Sequence, residues 1–125
     1  MNKTRLLAAA RAVLDADPEL FTMAREVNAC GTPACVFGHY AARVDLQDKF
    51  VLHERNDEHY AYISERAHPE DEIGAYAESV REHFGLTREQ QMELFDIDGC
   101  GNAKTPREAA DYIEAFVASD GKITP

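Results

Sequence analysis

Cys30, Cys35 and His39 are the residues whose types and spacing come nearest to a reactive or metal-binding set. Cys35 and His39 stand one helical turn apart, and Cys30 precedes the segment in which a helix is expected to start. Soft thiolates and an imidazole at such spacing can bind zinc, with a fourth ligand from Cys100 or one of the four other histidines, none of which the spacing singles out. The same residues have a plainer reading, in which Cys35 is a small buried apolar residue, Cys30 belongs to a loop and His39 is a polar edge. Redox chemistry is a third. A thiol near a helix N-terminus has a lowered pKa, so an exposed Cys30 would be reactive, yet Cys-x4-Cys lacks the geometry of the redox Cys-x-x-Cys turn. The plainer reading is preferred. No cofactor is expected, and zinc on Cys30, Cys35 and His39 stays as the alternative.

Two other groupings fail on spacing. The run Asp96-Ile97-Asp98-Gly99-Cys100-Gly101-Asn102 suggests a calcium loop, but counting from Asp96 the fifth position is Cys100 and the twelfth is Arg107, where a bidentate glutamate is needed. A glycine-rich connection between two helices is expected instead. His53-Glu54 and His59 have the composition of a zincin fragment, but the histidines are six apart rather than four and the region reads as a hairpin, where Glu54 would face His59 as a cross-strand pair. No Ser/His/Asp set, phosphate-cradling loop or dinucleotide fingerprint can be read, so the chain is not expected to be an enzyme.

The remaining chemistry is charge. Between residues 54 and 82 there are nine acidic and three basic residues, a net of −6 out of −10 for the whole chain. Such a stretch is ordinarily a solvated face. It is also a candidate partner-binding surface made of Glu54, Asp57, Glu58, Tyr60, Tyr62, Glu70, Asp71, Glu72 and Tyr76, in which carboxylates interleaved with tyrosines imitate a nucleic-acid backbone or dock on a basic groove.

These residues need elements to hold them. In residues 3–16, Leu6, Leu7, Ala10, Val13 and Leu14 recur at helical spacing, and Asp17-Pro18 ends the pattern. Leu20, Phe21 and Met23 form a short apolar patch expected to pack under the next helix. Thr32 and Pro33 read as N-cap and first residue of a buried central helix over 33–44, with Ala34, Gly38 and Ala42 making a smooth face. Residues 50–55 and 58–64 alternate as a hairpin about Asn56-Asp57, with Phe50, Leu52, Ala61 and Ile63 on the core face and Val51, His53, Tyr60 and Tyr62 on the other. Pro69 is expected to open a helix with Glu70, Asp71 and Glu72 in its first turn, carrying Ile73, Tyr76, Ala77, Val80 and Phe84 inward to a stop at Gly85. Thr87 to Gln90 resembles a capping box, and Thr105-Pro106-Arg107-Glu108 a cleaner one, opening a last helix with Ala109, Tyr112, Ile113 and Phe116 inward. The expectation is a mainly α (α+β) fold of about five helices around a buried central helix, with one β-hairpin near residues 50–64, in one domain over 1–125.

A chain of 125 residues with 45% apolar content builds one core. With 13 basic and 23 acidic residues, and the basic ones scattered singly, a phosphate backbone is repelled, so no direct nucleic-acid binding is expected. No apolar run approaches the roughly 20 residues that span a bilayer, and the N-terminus lacks signal-peptide order, so no membrane association and a cytoplasmic location are expected. Three cysteines are an odd number, and reduced thiols are the default.

The residues Leu20-Phe21-Thr22-Met23 and Cys30-Gly31-Thr32-Pro33-Ala34-Cys35-Val36-Phe37-Gly38-His39 resemble a set of small uncharacterised bacterial, plasmid and phage proteins. Those carry a Phe-x-Met patch before a Cys-Gly-Thr-x-x-Cys-x-x-Gly-His or Cys-Gly-Thr-x-x-Cys-x-x-Gly-Trp core. Phe84-Gly85-Leu86-Thr87, Leu94-Phe95 and Thr105-Pro106 through Ala109-Ala110 are similar too, while the hairpin and acidic stretch are unmatched. The resemblance implies a phage or mobile-element context, with no assigned activity, and tryptophan at the position of His39 counts against a metal role there. The reading that follows is a non-enzymatic acidic binding protein of that type, docking on a protein partner with a basic surface in the cytoplasm, host cytoplasm if phage-encoded. Inhibition of a host nucleic-acid-binding defence system, anti-CRISPR-like or DNA-mimic-like, is its concrete form. The alternatives are a small structural zinc module and an oligomeric scaffold using the aromatic hairpin face.

Overall fold

A computed structural model describes residues 1–23, 25, 27–28, 33–46, 49–57, 60–73, 77–96 and 99–121. Among these, helices α1 (Lys3–Leu14), α2 (Val36–Ala41), α3 (Glu78–Phe84), α4 (Arg88–Phe95) and α5 (Pro106–Ala118) accompany a three-stranded antiparallel sheet of β1 (Phe50–His53), β2 (Tyr62–Glu65) and β3 (His68–Glu72), in that order. The fold is α+β. No helix among the described residues is long and apolar enough to cross a membrane.

Helix α1 starts at Asn2, whose side chain accepts from the Arg5 amide at 3.0 Å and satisfies one of the amides a helix start leaves without partners. Its buried stripe is Leu6, Ala9, Ala10 and Val13. Leu7 and Leu14, expected inward, are instead 37% and 40% exposed. The two alanines explain the offset: they leave room for the backbones of α5 and α2, the two elements α1 packs against most, and the stripe centres on them. Arg43, just beyond α2, clamps Asp45 through two guanidinium nitrogens and donates to the Ala8 carbonyl at 3.1 Å, tying α2 to α1.

Helix α2 begins three residues later than the Thr-Pro signal predicts. Pro33 lies in an extended bridge with Val27, the Ala34 carbonyl accepts from the Thr22 amide at 3.1 Å, and Cys35 is the N-cap. Thr32 lies outside the described residues. Proline's fixed φ suits extended chain as well as a first helical turn, and the contacts of Pro33 with Val27 and of Ala34 with Thr22 decide between them. Phe21 and Met23 are buried as expected, while Leu20 is exposed. Phe21 lies 6.3 Å from the His39 ring, centroid to centroid.

The later helices follow their caps. Thr87 and Gln90 make the complete reciprocal box. At α5 the Glu108 amide donates to the Thr105 hydroxyl, but that hydroxyl donates in turn to the Glu108 carboxylate, so the site expected to be cleaner is the less complete box. Ala109, Ile113 and Phe116 are buried as expected, with Ala110 and Val117 beside them, whereas Tyr112 is half-buried. Gly85 ends α3 in the left-handed conformation, φ 65°. Thr105→Ala is expected to lower stability by about 1 kcal/mol, read as a lower urea midpoint at unchanged slope; an unchanged midpoint would show that the cap does not hold in solution.

Candidate docking surface

Of the acidic residues predicted to bind a partner, Glu70, Asp71 and Glu72 sit on β3, and Glu54 and Asp57 lie between β1 and β2. In the hairpin, Phe50 pairs with Glu65, Val51 with Ser64, Leu52 with Ile63 and His53 with Tyr62. A two-residue turn at Asn56-Asp57 would have put Leu52 opposite Ala61, so the register is slipped by two residues. Because side chains alternate with period two, this slip keeps each residue on its expected face. Of the residues expected on the core face, Phe50 and Ile63 are buried but Leu52 and Ala61 only half-buried, as are Val51, His53 and Tyr62 on the other. Glu54 and Asp57 are exposed and Tyr60 is 85% exposed. Glu58 and His59 lie outside the described residues, and with them the expected Glu54–His59 pair.

The helix expected from Pro69 does not form there. Residues His68–Glu72 are instead strand β3, and the helix starts only at Glu78. Tertiary structure overrides the local signal, because β2 has a second edge whose backbone groups need partners. That edge is taken by β3, and the Ile73 amide donates to the Ile63 carbonyl at 2.7 Å beyond it. Glu70, Asp71 and Glu72 therefore do not complement a helix dipole. The ladder is also irregular. Consecutive residues Ser64 and Glu65 face Glu72 and His68 respectively, so residues 69–71 arch away from β2. Proline fits such an arch, having no amide to give to a ladder. Every residue of β3 is exposed.

Beside the arch is a hollow of about 130 Å³ lined by Glu65, His68, Asp71, Glu72, Ile73 and Ser79. Its walls are β2, β3 and the start of α3. Among the described residues no ion pair reaches Glu54, Asp57, Glu70, Asp71 or Glu72. One ligand atom each from His68, Glu70 and Asp71 lies within 4.8 Å of the others. All three are exposed, so water competes for each. Tyr76, placed by sequence on the same surface, lies outside the described residues.

The polar face of the hairpin carries a pair that sequence spacing concealed. His53 Nε2 is 2.8 Å from Ser64 Oγ, and the His53 ring stacks on Tyr62 at 4.2 Å and 7°. The two residues are 11 apart and meet only through the hairpin register. Ser64 is fully buried, so a substrate has no access to its hydroxyl and the pair fastens the sheet. Tyr62 in turn donates to the Pro69 carbonyl at 3.0 Å, tying the arch of β3 to β2.

Cys35 and Cys100 lie in the hydrophobic core. Cys35 is buried, and its Sγ accepts from the Gly38 amide at 3.5 Å. His39 Nδ1 lies 2.8 Å from the Cys35 carbonyl, to which it donates, and burial lowers its pKa against the opposing effect of that hydrogen bond. Cys30 lies outside the described residues, so the full Cys30, Cys35 and His39 set does too. Cys100 is buried in a left-handed turn, Gly99–Asn102, where Cys100, Gly101 and Asn102 have φ of 54°, 65° and 62°. Its thiol donates to the Leu94 carbonyl at 3.3 Å. Burial above all, then Cys35 and Glu93 nearby, push that thiol up to about 12, which keeps it protonated and unreactive at neutral pH.

His83, one of the histidines without an assigned place in the sequence reading, is buried against Tyr40. Its spacing from Val80, and its adjacency to Phe84, mark the inner stripe of α3 and were the available signal. Comparison with family models, curated proteins and solved structures gives no match for this chain.

Proposed function

We propose that this protein is a non-enzymatic docking protein that binds a basic protein surface through the acidic face of β3 together with Glu54, Asp57 and Tyr60. A phage or mobile-element inhibitor of a host nucleic-acid-binding defence system is the form this takes. The observation that supports it most is the arch at 69–71, which holds Glu70 and Asp71 away from the sheet beside an acid-lined hollow, with Glu72 at its edge and no basic partner within the described fold. Unpaired carboxylates on a fixed strand raise the local negative potential and steer a basic partner, contributing chiefly to association rate and specificity. Tyr60, at 85% exposure, supplies an amphipathic ring of the kind enriched at the energetic centres of interfaces.

The test is binding to purified RNA-guided and restriction nucleases across a salt series. The triple variant Glu70→Gln, Asp71→Asn, Glu72→Gln is expected to bind at least about tenfold more weakly than wild type at low salt, with the gap narrowing as screening shortens the reach of the charges. Equal affinity for the two proteins, or no binding to any of these nucleases, would sink the proposal.

A further inference from the structure

Three elements meet at one imidazole. His83, on α3, has Nε2 2.5 Å from the Tyr40 hydroxyl of α2 and Nδ1 3.5 Å from the Lys49 ammonium, just before β1. Its own carbonyl accepts from the Arg5 guanidinium of α1 at 2.7 Å. Next to it, the Phe84 carbonyl accepts from the Asn2 amide at 2.7 Å. The imidazole is packed edge-on against Phe50 and Phe84, at 6.2 and 5.1 Å between centroids. Arg43 and Asp45 act on Tyr40 from beyond α2 but are bound to each other. Among the described residues no carboxylate lies within ion-pair distance of the ring.

Counting donors assigns the tautomer. A lysine ammonium has no acceptor, so contact with Nδ1 requires that nitrogen to be bare, which puts the proton on Nε2 and makes the Tyr40 oxygen its acceptor. A second proton has only Nδ1 to occupy. There it points a donor at a donor and sets an imidazolium, buried against Phe50 and Phe84, beside the Lys49 ammonium and near Arg5.

We propose that the Tyr40–His83–Lys49 junction is an acid-sensitive latch that holds α3 against α1 and α2 and releases it when His83 takes its second proton. Burial first, then Arg5 and Lys49, hold His83 down to about 4, from an ordinary value of 6.5. The sign follows. Between these values the unfolded or released state binds the proton and the latched state does not, so the latch is at full strength above pH 6.5 and is lost as pH falls toward 4. Helix α3 also walls the hollow through Ser79, so release would open that face, although the latch is independent of what docks there.

The experiment follows the imidazole resonances of the wild-type protein by NMR from pH 7.5 to 4, with urea unfolding at each pH for wild type, His83→Gln and Lys49→Met. His83 is expected to stay neutral until well below pH 6 and to protonate together with loss of native tyrosine signals. Between pH 6.5 and 4.5 the unfolding equilibrium constant of wild type should rise about 40-fold more than that of His83→Gln. Lys49→Met removes the facing charge, so its His83 should titrate at higher pH and its acid loss should be shallower. His83 titrating near 6.5 with the native spectrum intact, or equal acid loss in wild type and His83→Gln, would overturn the latch. If His83→Gln does not fold, the wild-type titration and the Lys49→Met slope decide it alone.

Discussion

Phe84→Ala is expected to remove about 3–5 kcal/mol of stability, a large part of the 5–15 kcal/mol typical of a domain. Phe84 is fully buried, and its ring lies 4.8 Å from Tyr40, 5.1 Å from His83 and 5.3 Å from Phe95, between centroids. It therefore joins α2, α3 and α4, and truncation leaves a cavity lined by rings that cannot collapse without moving the helices carrying them. The Asn2–Phe84 backbone bond survives the change, so the loss measures packing alone. Phe84→Leu, closer in volume, should cost less, under about 1.5 kcal/mol. Urea unfolding of both variants checks the pair. A loss below 1 kcal/mol for the alanine variant would mean that these helices do not meet on Phe84.

Gly99→Ala is the second large effect, about 2–3 kcal/mol, and it arises from a clash rather than from a cavity. A Cβ on Gly99 would stand 2.7 Å from the Leu94 carbonyl oxygen and 2.8 Å from its carbon. Both are backbone atoms at the end of α4, so relief requires moving the helix end, which also carries the buried Leu94 and Phe95. Gly101 makes the useful contrast. Its φ of +65° penalises any side chain, but among the described residues the close neighbour of a Cβ there is the Tyr112 ring at 3.2 Å, which is half-buried and can give way. Gly101→Ala should therefore cost less, about 1–2 kcal/mol. Thermal melts of the two variants test the ordering, and a reversed order would place the turn differently against α4.

The left-handed turn shows why the Asp96–Asn102 run was readable only in part. That it joins two capped helices followed from composition and from Thr87 and Thr105. That Cys100 and Asn102 both take positive φ did not, since neither residue type demands it; the closure between α4 and α5 imposes it. The acidic site divides in the same way. The face that each paired hairpin residue takes was legible, because period-two alternation survives a two-residue slip. The arch that holds Glu70 and Asp71 away from the sheet was not legible, because it arises from pairing Ser64 with Glu72 while its neighbour Glu65 pairs with His68.

By itself, then, the amino-acid order determined what depends on near neighbours: the caps at Thr87 and Thr105, the stop at Gly85, the inward stripe of α5 and the faces of the hairpin. Tertiary structure alone decided what depends on distant partners. Residues His68–Glu72 became a strand because the open edge of β2 needed backbone partners, and α2 began only at Val36 because Pro33 is paired with Val27. The histidines make the same point most clearly. His53 found Ser64 through the sheet register, and His83 found Tyr40, 43 residues away, only when α2 and α3 packed together. Capping and periodicity are set by bonds within a turn or two of chain, whereas an edge, a pair or a buried junction exists only once the chain has closed on itself.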